Sequence, residues 1–295
     1  MDIDLIQRKF ARMGARVLVA PLVRSRRSPP ASDVAVDIRR DDKGEYFDIR
    51  FDPRWVEDVD ALDVQPAQRH LLLMAKVLDH TPEVVPRWNW RREATPVTPA
   101  KATGKVEKAK FLCGHDERSW FVAAVPENAA ASTVRTAMEA LKPPAVRDAQ
   151  AMAKVHFAKR NRRKNRGFVR QGEWFFIPRP AMVVDKAHVL RNEPLRRNDG
   201  GKPHWAEWAY RTGGETVWVS EKFPAGLGKD AYAEYLRAHP NQRLHWTVMV
   251  RNAGVYVKGR IRHPDHATIR LDCWHEVFMN TESQAKARRN VVFLD

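Results

Sequence analysis

Apolar and polar positions divide the chain into a first part that mixes helices with hairpins and a last part dominated by short strands. Ile3, Leu5, Ile6, Phe10 and Met13 recur at helical spacing over residues 2–13, and Gly14 supplies a stop. Arg16 to Val23 is rich in Val and Leu and predicts a strand. Val34 to Arg39 and Glu45 to Phe51 alternate apolar with polar around Asp-Asp-Lys-Gly, which predicts a hairpin. His70 to Val77 predicts an apolar strand or a short helix, and Lys110 to Pro126 two strand-like runs around a Gly-His-Asp-Glu-Arg turn. Ser132 to Leu141 predicts a helix with Ser132 as N-cap and Lys-Pro-Pro as its stop, followed by a second helix from Ala145 to His156.

From Gly167 onward the pattern is one of strands: Glu173 to Pro178, Glu215 to Val219, Trp246 to Arg251, Val255 to Arg262, Ala267 to Leu271 and Val277 to Asn280. A polar loop at Arg196 to Lys202 and a short helix over Lys229 to Ala238 lie among them. Many short strands at close spacing predict a small barrel or sandwich. The expected architecture is α+β: a mixed domain over 1–148, a basic helical bridge over 149–168 and a β-rich domain over 169–295. Residues 82–110 break the pattern with four prolines and the neighbouring Trp88 and Trp90, and predict a long connecting loop.

Charge adds a partner to this picture. The 295 residues carry a formal net charge of +16, and the Lys159–Arg166 run, Lys-Arg-Asn-Arg-Arg-Lys-Asn-Arg, holds no acid. Charge packed so densely repels itself until a polyanion lies against it, its own counterions released. The expected partner is nucleic acid, RNA ahead of DNA, with its phosphates on Lys159, Arg160, Arg162, Arg163, Lys164 and Arg166. Arg196 and Arg197 extend this footprint, as do Lys258, Arg260 and Arg262. Trp88 and Trp90 beside Arg91 offer planes on which bases can stack, or anchors that hold the loop to the core. A protein partner within a ribonucleoprotein complex fits the same charge, and a scaffold subunit docking an acidic protein is a further reading.

Two cysteines, Cys113 and Cys273, exclude a disulfide-stapled secreted scaffold. No apolar run approaches the roughly 18 residues that span a bilayer, and the N-terminus lacks the core of a signal peptide. The expected setting is the cytoplasm, with no membrane partner.

The candidate chemistry is a histidine and carboxylate set. His263 and His266 stand three apart across a Pro-Asp turn, and His204 and Glu207 share that spacing. Converging imidazoles and a carboxylate would hold zinc or another divalent metal and activate a bound water, which makes a metal-dependent hydrolase or nuclease the alternative function. His115, Asp116 and Glu117 are candidates for a general base or a metal ligand in the predicted turn. Cys113 with His115 and Cys273 with His275 could complete a Cys2His2 site, or the thiols could be small core hydrophobes. No glycine-flanked serine elbow, phosphate-binding loop or dinucleotide fingerprint is present.

Arg170 to Pro178, then Gly201 to Arg211, then Val255 to Leu271 together resemble an uncharacterised bacterial family of small β proteins. That family shows an Arg-Gln-Gly-Asp-type strand, a Gly-His-x-His-type stretch and a histidine-pair turn leading into a final strand. Here Glu173 takes the place of the usual acid, and Glu207 stands where a second close histidine would be. The resemblance covers roughly residues 169–280; it implies a separate β domain and points to His204, His263 and His266, but implies no activity.

Overall fold

A computed structural model describes residues 1–22, 33–80, 102–197 and 201–291. It is an α+β structure, rich in strands, with four α-helices among the described residues. It divides into two compact units: residues up to Arg166 together with the segment from Met279 onward, and Gly167–Phe278. The last segment of the chain therefore belongs with the first unit.

The first unit opens with α1 (Ile3–Arg12), whose free N–H of Leu5 is capped by Asp2 at 2.8 Å. Gly14 at φ +78 ends it, and Ile6 and Phe10 are buried. β1 (Val17–Pro21) pairs in parallel with β3 (Gly44–Phe51), which forms the expected hairpin with β2 (Val34–Asp41). An antiparallel meander follows: β4 (Val56–Gln65), β5 (His70–His80), β6 (Ala102–Asp116) and β7 (Ser119–Val125). Phe10, Phe47 and Trp120 pack in series, tilted and then edge to face, with centroids 5.1 and 5.4 Å apart, within the core shared by helix and sheets. The alternate side chains Leu72, Leu112 and Val125 face the other way and are covered by α2 (Val134–Ala140) and Leu141. A buried side chain of this size contributes about 1.5–3 kcal/mol.

Three expectations change here. β6 begins at Ala102, so the predicted loop of 82–110 includes more than half of a long strand; Trp88, Trp90 and Arg91 lie outside the described residues. The N-cap of α2 is Thr133, one residue later than Ser132, because Thr133 and Thr136 form a reciprocal capping box. The second helix, α3 (Pro144–Met152), stops four residues early, where Lys154 turns left-handed at φ +50. Only Phe157–Lys159 regains a single 3-10 turn, so the basic run is not a helical bridge. It is a strap of turns within the first unit. Lys142, 2 % exposed, and Gln150 both donate to the Arg160 carbonyl, at 2.9 and 2.8 Å.

The second unit contains a six-stranded sheet and a separate hairpin. The sheet runs β10 (Leu190–Leu195), β11 (His204–Thr212), β14 (Gly254–Arg262), β15 (Ile269–Met279), β9 (Trp174–Pro178), β8 (Val169–Gln171). The hairpin pairs β12 (Glu215–Val219) with β13 (Thr247–Arg251), and α4 (Lys229–Ala238) spans the expected residues between them. No sheet among the described residues closes into a barrel. The two predicted strands at 267–280 are one strand, β15, which absorbs the intervening Asp-Cys-Trp as an irregularity opposite Lys258. β10 and β11 arise where the apolar pattern assigns no element. The inward positions of β11 are Ala206 and Ala209, too small to mark an alternation.

Replacing Lys142 with Met should leave the Arg160 carbonyl and Gln150 short of a donor. The expected loss is about 1–3 kcal/mol of unfolding free energy, read by urea titration, with faster amide exchange over 155–166; an unchanged midpoint would contradict the anchoring role.

Candidate metal centre

β11 starts at His204, which points to the buried face and is 1 % exposed. β14 ends at Arg262, and the turn after it carries His263 and His266. In this turn the three histidines offer one ring nitrogen each, all within 4.8 Å of one another. A tetrahedral zinc with bonds of about 2.0–2.1 Å needs donors about 3.3 Å apart. The rings now lie face to face: His204 and His263 have centroids 4.2 Å apart at 24°, and His263 and His266 4.8 Å at 32°. Side-chain rotation that turns nitrogens instead of faces toward the centre would close the remaining gap.

The floor of the cluster is the turn between β8 and β9. Gly172 has φ +55, and a Cβ there would stand 2.9 Å from His266 Nε2 and 3.4 Å from His204 Nε2. Only glycine admits both nitrogens this close to the backbone. Beside it, Gln171 Nε2 donates to the Ala267 carbonyl at 2.6 Å and reaches that of Ile261 at 3.5 Å, holding both ends of the histidine turn. Lys202 ties the turn from the other side. Its carbonyl lies 3.2 Å from His263 Nε2, and its ammonium is 2.9 Å from Asp265. Asp265 N–H in turn donates to His263 Nδ1 at 3.2 Å. This places the proton of His263 on Nε2, so ligation through Nδ1 would replace only the weak contact with the Asp265 amide.

Polar atoms around this point lack protein partners. Both ring nitrogens of His204, Gln171 Oε1 and Trp174 Nε1 are buried without a hydrogen bond among the described residues. Buried donors and acceptors are almost always paired, and a group of unpaired ones in one place calls for a missing ligand, ion or water. Burial first, then His263, His266 and Arg197, push the His204 pKa down to about 2. It is therefore held neutral, the form that binds a metal.

Other candidate residues fall elsewhere. Glu207 is three positions along an extended strand from His204, which sends it to the opposite face. There it accepts from the Arg260 backbone N–H at 2.9 Å and side chain at 3.1 Å, and these contacts hold its pKa low. The spacing of three that suits a helix misleads on a strand. His115 and Asp116 end β6 and Glu117 begins the turn to β7, but the guanidinium of Arg163 bridges both carboxylates. His115 packs edge-on against Trp120 at 4.9 Å, and burial followed by Arg69 lowers its pKa. Cys113 is fully buried in the first unit's core, where burial raises its thiol pKa, and Cys273 lies in the second unit. His275 Nδ1 lies 2.9 Å from the Cys273 carbonyl. Of the basic run, Arg163 is the internal clamp just described and Arg160 is half-buried; Lys159, Arg162, Lys164 and Arg166 are exposed. Arg196 is exposed on the approach to β11, and Arg197 acts on His204 as noted. Gln171, Gly172 and Trp174 are the residues that sequence patterning missed, although they sit within the Arg170 to Pro178 stretch of the family resemblance.

No family model, curated protein or solved structure matches the chain. No helix among the described residues is long and apolar enough to cross a membrane.

The low pKa of His204 fixes the sign of one pH effect. Unfolded, the ring takes a proton near its ordinary 6.5; folded, it refuses one until about 2. Metal-free stability should therefore fall as pH drops below about 6.5, by up to about 1.4 kcal/mol per pH unit from this group. Urea titrations between pH 7.5 and 5 should show a shallower slope in His204→Gln than in the parent; equal slopes would contradict the assignment.

Proposed function

We propose that the chain is a divalent-metal protein whose second unit holds zinc, or a metal of similar preference, on His204, His263 and His266. The observation that carries this is the convergence of three imidazoles, one of them buried, neutral and unpartnered at both nitrogens. Three protein donors leave a fourth position for water or substrate, the arrangement of catalytic rather than structural zinc. A metal so held would lower the pKa of its bound water and supply hydroxide at neutral pH. Gln171 and the Lys202–Asp265 pair orient the ligands, and Arg197 adds a positive charge that disfavours protonation of His204 and attracts an anionic substrate. The reaction class this supports is metal-assisted hydrolysis of an anionic substrate such as a phosphodiester.

Zinc titration against a chromophoric chelator should give one ion per chain. His263→Ala and His266→Ala should each weaken it at least 10-fold, and Gly172→Ala should do the same by filling the space beneath both Nε2 atoms. Hydrolysis of bis(p-nitrophenyl) phosphate should disappear with the metal and return on its re-addition. Stoichiometric binding that survives all three substitutions would overturn the site.

A second reading, polyanion binding by the basic strap, is favoured by Lys159, Arg162, Lys164 and Arg166 all facing solvent. Phe157, 63 % exposed with Arg135 5.5 Å from its ring, adds an aromatic plane beside them. Nucleic acid, RNA ahead of DNA, is the polyanion this reading favours, and the cytoplasm its setting. Converting those four cations to Gln should flatten the salt dependence of RNA affinity by about 3 in log–log slope.

A further inference from the structure

The face of the six-stranded sheet opposite the histidines carries a second arrangement that neither reading uses. Antiparallel partners share a face. Trp205 stands opposite Arg262, Trp208 opposite Lys258 and Arg191, and Arg260 opposite Arg270. On β14 the alternation is complete: Val257 and Ile261 are buried, while Lys258, Arg260 and Arg262 are exposed. Two cavities open on this face. One, of about 360 Å³, is lined by Trp208, Lys258, Arg260 and Arg270 with Glu207 and Asp272. The other, of about 440 Å³, is lined by Trp205, Arg262, Asn192, Pro264 and His263.

The charges on this face are incompletely matched. Glu207 pairs with Arg260 and also feels Arg270, whose one ion pair among the described residues is with Asp272, at 3.7 Å with both side chains more than four-fifths exposed, a pairing worth little. Lys258 has no ion-pair partner among the described residues. Arg260 and Arg270 stand directly opposite and repel, and the single carboxylate of Glu207 answers the two of them only in part. Tryptophan planes alternating with these cations match the two faces of one ligand class: bases that stack and phosphates that need neutralising. An unpaired strand can lay its bases on a sheet, whereas a duplex keeps them stacked within.

We propose that the outer face of β11 and β14 binds single-stranded nucleic acid, with a base stacked on Trp205 and phosphates on Arg262, Lys258 and Arg270. The site is distinct from the basic strap, and binding there does not require the metal.

The test is fluorescence anisotropy of labelled twelve-residue oligo-U and oligo-dT against the full chain in chelator, alongside a duplex of equal length. Either single strand should bind more tightly than the duplex, and the difference between the two reads the contribution of the 2′-hydroxyl. Trp205→Leu should weaken the single strand about 5- to 100-fold, with Trp205→Phe restoring part of the loss because a ring remains. The double substitution Lys258→Gln and Arg270→Gln, both exposed and tolerant of change, should lower the log–log salt slope by about 1.4. Circular dichroism melts establish that each variant folds. Tighter binding of duplex, or an affinity unmoved by these substitutions and abolished by removing the strap cations, would overturn the proposal. So would binding of a poly-glutamate chain as strong as that of the oligonucleotides. Because zinc is absent throughout, failure here leaves the metal reading standing, and failure of the metal titration leaves this one standing.

Discussion

The second unit is built around an unfavourable burial. His204 sits in the interior with both ring nitrogens lacking a partner among the described residues, stacked on His263 and with His266 close by. Each buried, unpaired polar atom costs about 1–3 kcal/mol. The surrounding structure holds the arrangement against that cost. Gln171 grips the histidine turn at Ala267, Lys202 and Asp265 close it from the other side, and Gly172 removes the side chain that would otherwise fill the gap. A fold that merely needed a core would place a leucine at 204. Strain that several elements cooperate to maintain marks a site where something else is meant to complete the bonding.

The period of a β-strand then separates two chemistries on the same two strands. Inward positions of β11 and β14 carry His204, Ala206, Val257 and Ile261; outward positions carry Trp205, Lys258, Arg260 and Arg262. Arg262 ends β14 and His263 begins the turn, so the outer groove and the histidine cluster meet at one peptide bond. The bulge at Glu207 and the left-handed Gly259 shift the register between them and open the cavity beside Trp208. Irregularities of this kind re-aim side chains.

Much of the first unit was legible in the sequence because its signals are local. Helix α1 has a stripe and a glycine stop, and the β2–β3 hairpin alternates around a turn; in the second unit α4 likewise matches its expected limits. What was not legible depends on pairing between distant segments. β11 hides behind inward alanines, and the role of Gly172 depends on histidines that approach it from 32 and 94 residues away. The histidine trio itself was visible as residue types. Its fourth member was not correctly read: Glu207 at a spacing of three looks like a co-ligand until the stretch is known to be extended. The strap shows the same limit in reverse. Six cations in eight residues read as one contact surface, yet Arg163 clamps Asp116 and Glu117, and the Arg160 backbone is held by Lys142.

Net charge is therefore a poor guide to where a polyanion would lie. Many arginines of the first unit are consumed internally: Arg16 forks onto Asp41, and Arg39 and Arg50 converge on the buried Asp48. Cations answered by nearby carboxylates contribute little field beyond a Debye length of about 8–10 Å. Those that remain weakly answered carry the field, and in the second unit they include Lys258 and the exposed Arg270 on the sheet, with Arg262 bound, among the described residues, to the neutral amide of Asn192. Arg262 abuts His263, and Arg197 acts on His204, so positive charge also flanks the neutral imidazole of His204. A proton is disfavoured there by burial and by both kinds of neighbour, while an anion is attracted. A divalent cation can enter that environment because the imidazole donor bonds offset the repulsion, and an anionic substrate arriving with it would neutralise the excess charge. Metal and substrate should for that reason bind cooperatively if both proposed readings hold.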